Sequence, residues 1–325
     1  MPVMGIESSA HTLGVGIADK GRILSSARRM YRITDKGLIP SRVADFHSEG
    51  LGKTIDEALR KAGLSISEID AIGYTKGPGL GACLRVGQLG ALLLGEKLSV
   101  PVIPVNHAIG HIEVTRTLSA MRDPLALYVS GGNSQILGIV AEPYRHYHVF
   151  GETFDIGIGN ALDAFARRAK LNPAWGSSVE KAAEGGKYRE MPYTVKGMDF
   201  TFSGILTHAE RVLGSAPLRD ICYSMQETAF SMLCEATERA LFVTKKRELL
   251  LCGGVAQNAR LAQMTKKMAE SHKIRFAVAP AELNADNGAM IAVVAEKMLR
   301  SKALPKRSEC TVKQRYRVDS VRVGW

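Results

Sequence analysis

Near its start the chain carries three short apolar runs set off by polar turns, "VMGIESS", "LGVGIAD" and "GRILSSARR". Their alternation predicts three β-strands. The same plan returns about 120 residues later in "ALYVSGG", "SQILGIV" and "RHYHVF", which reads as a duplicated lobe. After each set the apolar period lengthens and predicts helices, over Arg42 to Ala62 and Leu84 to Lys97 in the first half, and over Gly159 to Lys170 and Asp220 to Val243 in the second. Short apolar runs such as "AIGYT", "VIPV" and "ELLLCGG" lie between them as buried strands, an alternation that predicts an α/β class. The expected division is an N-terminal lobe over 1–124, a C-terminal lobe over 125–300, and a basic tail over 301–325 packing back on the first lobe. "SAMRDPLA" around Pro124 is the expected crossover. A central cleft between two such lobes is the default ligand site.

No apolar run approaches the roughly 18 residues of a membrane span, because charged and polar residues such as Arg85, Gln88, Glu96 and Lys97 interrupt the longest one. The opening "MPVMGIESS" lacks the basic-then-apolar pattern of an export signal, so a cytoplasmic protein with no membrane role is expected. Five scattered cysteines without CxxC spacing fit reduced thiols. The net charge of +11 makes a polyanion a candidate partner, and it clusters at Arg28-Arg29, Arg167-Arg168, Lys245-Lys246-Arg247 and the tail "KQRYRVDSVRVGW". Basic clusters with few aromatics favour phosphate contact over base stacking.

Three glycine-bearing turns follow predicted strands: "GIESSAHT", "YVSGGNSQ" and "LLCGGVAQNARL". Glycine lets backbone amides close on an anion, and a following helix adds its positive end. Hairpin and tight-turn geometry account for single cases equally well. A further stretch, "TKGPGLGACLRVG", does not keep GxGxxG spacing, so a dinucleotide fold is unsupported. In "VNHAIGHIE", His107 and His111 stand four apart, the separation that puts two imidazoles on one helical face. That spacing permits a metal; a half-buried helix with capping histidines fits it as well. His47, His146, His148 and His208 carry no assigned role.

These segments together resemble the universal tRNA threonylcarbamoyladenosine transferases, in the archaeal and eukaryotic branch that forms the catalytic subunit of the KEOPS complex. The resemblance spans almost the whole chain, in "GIESSAHTLGVGI", "TKGPGLGACLRVGQ", "VNHAIGHIE", "LYVSGGNSQI", "GETFDIGIGNALDAFAR", "GMDFTFSGILT", "CGGVAQN", "NADNGAMIA" and "QRYRVDSVRVGW". It implies a duplicated actin-like ATPase fold of two lobes. The implied reaction moves a threonylcarbamoyl group from threonylcarbamoyl-adenylate to N6 of the adenosine 3′ of the anticodon, in tRNAs reading codons that begin with adenine, with AMP released. It also implies one metal ion per subunit held by His107, His111, Tyr128 and Asp286, iron ahead of zinc. The implied nucleotide loop is Tyr128, Val129, Ser130, Gly131, Gly132 and Asn133 with Gly253 and Gly254, while Asp163, Gly176, Glu180 and Asn258 hold sugar and base; ATP or an analogue is an alternative occupant. Implied partners are tRNA, a small protein kinase-like ATPase, a small dimerising subunit and an accessory tRNA-binding subunit. The chain departs from bacterial members, which carry an acidic residue near His11 and a glycine-proline loop where "NPAWGSSVE" sets Trp175 beside Gly176.

For attack of a weak amine on a mixed anhydride, a bound cation acting as Lewis acid is the expected catalyst, through His107, His111 and Asp286. Glu7, the acidic residue of the first loop, is either a general base or an anchor of its turn. Three rivals remain at this stage. A zinc peptidase would place glutamate directly after the first histidine, where Ala108 stands. A sugar kinase or ATPase leaves the histidines and the tail unused, and a nucleotide-gated scaffold would need no chemistry at Asp286.

Overall fold

The computed structural model describes residues 1–31, 38–302 and 304–325. The chain opens with strands β1 (Val3–Glu7), β2 (Thr12–Asp19) and β3 (Arg22–Met30), then helix α1 (Pro40–Ala62), β4 (Ala71–Gly77), α2 (Gly81–Leu98), β5 (Val102–Asn106) and α3 (His107–Ser119). The second run is β6 (Leu125–Val129), β7 (Ser134–Val140), β8 (His146–Glu152), α4 (Ile158–Arg168), α5 (Gly176–Ala182), β9 (Val195–Lys196), β10 (Asp199–Phe200), α6 (Ser203–Arg211) and α7 (Leu218–Thr244). It continues through β11 (Glu248–Cys252), α8 (Ala259–Ser271), β12 (Arg275–Val278) and α9 (Ala281–Asn284) to a last helix, α10 (Gly288–Arg300). The strands and four helices expected from periodicity are all present, with α2 beginning three residues before Leu84, at Gly81.

The chain forms two compact units, one of residues 1–118, 140–147 and 285–325, the other of 119–139 and 148–284. In the first, the sheet order is β3-β2-β1-β4-β5; β1 pairs antiparallel with β2 (Ile6 opposite Val15) and parallel with β4 (Gly5 opposite Gly73). In the second, the order is β12-β11-β6-β7-β8, with β6 antiparallel to β7 and parallel to β11. Read from opposite edges, the two orders match: a meander followed by two parallel strands. The duplication inferred from the sequence is therefore a duplication of topology.

In the first unit α1 buries Val43, His47, Gly50, Thr54 and Ala58, a stripe at steps of three and four, and Ile55, Ala58 and Leu59 join Met4, Ile6, Val15, Ile17, Ile72 and Tyr74 in one core. Helix α10 packs on β1, β2 and β4 of the same sheet. It is buried without interruption from Gly288 to Glu296, each large apolar side chain contributing about 1.5–3 kcal/mol. Its backbone rides on glycines: a Cβ on Gly5 would stand 2.2 Å from Ala292 N, and one on Gly16 2.2 Å from Ala289 N.

Candidate metal centre and nucleotide loops

The metal-type cluster lies within the first unit. Asn106 ends β5 and caps α3: its Oδ1 accepts hydrogen bonds from Ala108 N at 3.0 Å and Ile109 N at 3.3 Å. The first residue of α3 is thus His107, and His111 follows one turn later, the two rings 4.8 Å apart and crossing at 83°. Asp286 arrives from the far end of the chain, just before Asn287, whose Oδ1 caps α10 by accepting from Met290 N at 2.9 Å. Its Oδ1 lies 3.3 Å from His111 Nε2 and 3.6 Å from His107 Nε2. One ligand atom from each of the three lies within 4.8 Å of the others.

Behind His107 stands Glu7, fully buried at the end of β1. Its Oε2 is 3.0 Å from His107 Nδ1 and accepts from Thr75 Oγ1 at 2.6 Å, while Oε1 accepts from Ser9 N at 2.6 Å. Ser9 Oγ is 3.3 Å from the same Nδ1. Glu7 therefore anchors its turn and faces an imidazole, the carboxylate–histidine pairing that fixes a ligand tautomer with Nε2 toward a metal. Ser9, Thr75 and Asn106 carried no sequence signal beyond adjacency to the quoted motifs.

The electrostatics ask for a cation here. Burial alone would raise Glu7, but the charge and hydrogen bond of His107 outweigh it and hold the carboxyl low. Burial would depress His107, yet Glu7 and then Asp286 raise it to about 9. Burial lowers His111, the Asp286 hydrogen bond offsetting only part. Asp286 is pushed up by burial and pulled far below its usual range by His107 and His111. Two carboxylates thus favour positive charge beside His107, which a bound cation would also supply. Two imidazole nitrogens and a carboxylate oxygen suit an ion such as iron or zinc.

The residues expected to cradle a nucleotide lie in the second unit. Tyr128 and Val129 end β6, and Ser130 to Asn133 form the hairpin turn into β7, with Ser130 N donating to Asn133 O at 2.8 Å. The start of α4 closes on this turn, Gly159 N donating to Ser130 O at 3.2 Å and Asn160 N to Gly131 O at 3.0 Å. Gly253 and Gly254 follow β11 into a 3-10 turn, after which Asn258 caps α8, accepting from Leu261 N at 3.0 Å and donating Nδ2 to Gln226 Oε1 at 2.7 Å. Asp163 accepts from Gly176 N at 2.6 Å, and Glu180 accepts from Ala259 N at 2.7 Å. Hydrogen bonds so link Asp163 to the start of α5, and Glu180 to the start of α8.

No helix among the described residues is long and apolar enough to cross a membrane. The sequence profile of a family described as tRNA N6-adenosine threonylcarbamoyltransferase matches residues 22–293. A protein of that name from Thermococcus sibiricus is 46% identical over 328 residues, covering 100% of both chains. One from Aeropyrum pernix is 43% identical, over 99% of this chain and 94% of its own. A probable bifunctional tRNA threonylcarbamoyladenosine biosynthesis protein from Methanothermobacter thermautotrophicus is 45% identical over all of this chain, which spans 61% of that longer protein. Among solved structures, full-length HypF in its phosphate- and nucleotide-bound form matches with TM-score 0.63 at 11% identity, over 94% of this chain and 56% of its own. Component A of (R)-2-hydroxyglutaryl-CoA dehydratase from Acidaminococcus fermentans matches with TM-score 0.55 at 12% identity, over 90% and 96%. At such identities these two establish the fold, the duplicated actin-like ATPase architecture. From the profile and the full-length relatives, the chain belongs to the tRNA N6-adenosine threonylcarbamoyltransferase family.

Proposed function

We propose that the threonylcarbamoyl transfer to tRNA adenosine N6 runs at a metal centre whose ligands are His107, His111 and Asp286, with threonylcarbamoyl-adenylate as donor. The observation that carries this reading is the convergence of two imidazole Nε2 atoms and one carboxylate oxygen within 4.8 Å, backed by Glu7 on the far nitrogen of His107. A bound iron or zinc ion would supply Lewis-acid polarisation and neutralise charge developing on the carbonyl and phosphate oxygens. Glu7 is a positioning residue here, with Ser9 N and Thr75 Oγ1 already on its oxygens. Backbone amides of the Ser130–Asn133 turn and of Gly253 and Gly254 receive the phosphate that leaves as AMP. Glu180 keeps Oε2 as an acceptor for a ribose hydroxyl, while Asp163 and Gly176 with Asn258 frame the sugar and base. Holding donor and amine in line removes much of the entropic barrier.

The partners in this reading are a cytoplasmic tRNA and the KEOPS subunits: the small kinase-like ATPase, the small dimerising subunit and the accessory tRNA-binding subunit. The longer relative named as bifunctional supports a second component working beside this one. The test is incorporation of labelled threonine into tRNA, given bicarbonate, ATP, the adenylate-forming enzyme and the partner subunits. His111→Ala and Asp286→Ala are expected to lose both label and bound metal, measured by elemental analysis. Full labelling by either variant would overturn the metal reading.

A further inference from the structure

The basic end of the chain lies across the end of β4 in the first unit. Lys313 N donates to Lys76 O at 2.8 Å, Gly79 N donates to Gln314 O at 3.1 Å, and Asn106 Nδ2 donates to Tyr316 O at 3.0 Å. The approach is close enough that a Cβ on Gly77 would stand 1.8 Å from Lys313 O, and Gly77 has φ of 147°, so only glycine fits. This backbone arrangement sets two ammonium groups about one ring: Lys76 Nζ is 5.5 Å and Lys313 Nζ 5.6 Å from the Tyr316 centroid.

Lys76 is only 8% exposed. One of its three N–H donors goes to Glu309 O at 2.6 Å, and among the described residues no carboxylate stands within ion-pair distance of either ammonium. The Glu309 carboxylate draws on Lys76 from further off, but its Oε2 accepts from Lys306 N at 2.7 Å. A ring face offers each cation only a weak attraction. A largely buried ammonium is stabilised where an anion meets it. Burial first and Lys313 next depress the Lys76 pKa, and an anion would relieve both. Lys313 and Arg315 are exposed beside it. Asn106, which ties down Tyr316, immediately precedes His107.

We propose that Lys76 and Lys313, held about Tyr316, receive a phosphodiester group of the tRNA backbone. The proposal rests on the tRNA substrate of the preceding reading. An RNA strand seated here is anchored beside the residue that caps the histidine helix. Fluorescence anisotropy of labelled tRNA on the full chain, titrated at stepped salt, tests it with Lys313→Gln, Lys76→Gln and the double variant. Lys266→Gln is the control, a side chain 61% exposed on α8 in the other unit. Removing one phosphate contact makes the slope of log affinity against log salt shallower by about 0.7–0.9. The double variant is expected to lose no more than that one contact, because both lysines serve one phosphate. Thermal melting checks each fold; the exposed Lys313→Gln carries the test alone if Lys76→Gln melts early. Lys313→Gln binding with the slope of Lys266→Gln would overturn the phosphate seat and leave the transferase reading standing. Wild type that binds no tRNA at any salt, alone or with the partner subunits, would overturn both.

Discussion

Replacing Gly16 by alanine puts the packing of α10 and the geometry of the proposed metal centre to one test. The new Cβ would stand 2.2 Å from Ala289 N, 2.5 Å from Ala289 Cα and 2.7 Å from Gly288 C, whereas ordinary contact begins at 3.4 Å. All three obstacles are helix backbone, which has no rotamer to yield, so α10 must retreat from β2 by about 1 Å. Overpacking of this kind costs about 1–3 kcal/mol, or a fall in Tm of about 2–12 °C at 2–4 °C per kcal/mol. Asp286 sits two residues before Gly288 and would move with the helix. Metal–ligand distances tolerate about 0.2 Å, so metal affinity should fall at least about tenfold. Scanning calorimetry and a calorimetric metal titration read the two effects. Gly52→Ala serves as control, since a Cβ there meets nothing within 4 Å and α1 should gain about 0.4–1 kcal/mol. A Gly16→Ala protein melting within about 1 °C of wild type and binding metal equally would refute the reasoning, because the close approach would then be no constraint.

Glu7→Gln keeps the shape but removes the charge facing His107; metal affinity should drop about 10–100-fold in a direct titration while far-UV dichroism stays native. Glu113, fully buried, accepts from Arg116 at 2.8 Å, Lys297 at 2.6 Å and Tyr147 at 2.5 Å, so Glu113→Gln should cost about 3–5 kcal/mol in urea unfolding by stranding two cations, and adding Lys297→Met should restore part of it. His47, fully buried in α1, is depressed by burial from 6.5 to about 4. The folded state holds it neutral, so stability is full above pH 6.5 and declines as pH falls toward 4, where the unfolded chain takes the proton first. The loss amounts to at most about 3 kcal/mol. His47→Gln should flatten that acid limb in melting curves taken from pH 7 to pH 4, and an unchanged limb would count against the burial argument.

The duplicated strand plan was legible because its strands are apolar runs of five to nine residues separated by polar turns, and α1 was legible because it shows one face to a core. Helix α10 was not, for a physical reason: it is buried on every side from Gly288 to Glu296, so its sequence "GAMIAVVAE" has no polar stripe to mark a period. Asp286 stands just before that helix, which is why the third candidate ligand came from family resemblance and not from spacing. His107 and His111 show their four-residue separation in any sequence reading, but neither spacing nor composition reveals that Glu7 from β1 and Asp286 from before α10 meet the same pair. Those encounters are set by the sheet, which aligns β1 with β4 and β4 with β5, so that residues from chain positions far apart end at one edge. Lys76, Lys313 and Tyr316 follow the same logic. A basic tail was visible as charge alone; its meeting with a buried lysine at the end of β4 depends on Gly77 admitting a carbonyl where any side chain would stand. In this fold, glycines at strand and helix contacts decide which charged groups meet, and the charged groups then decide what the site can bind.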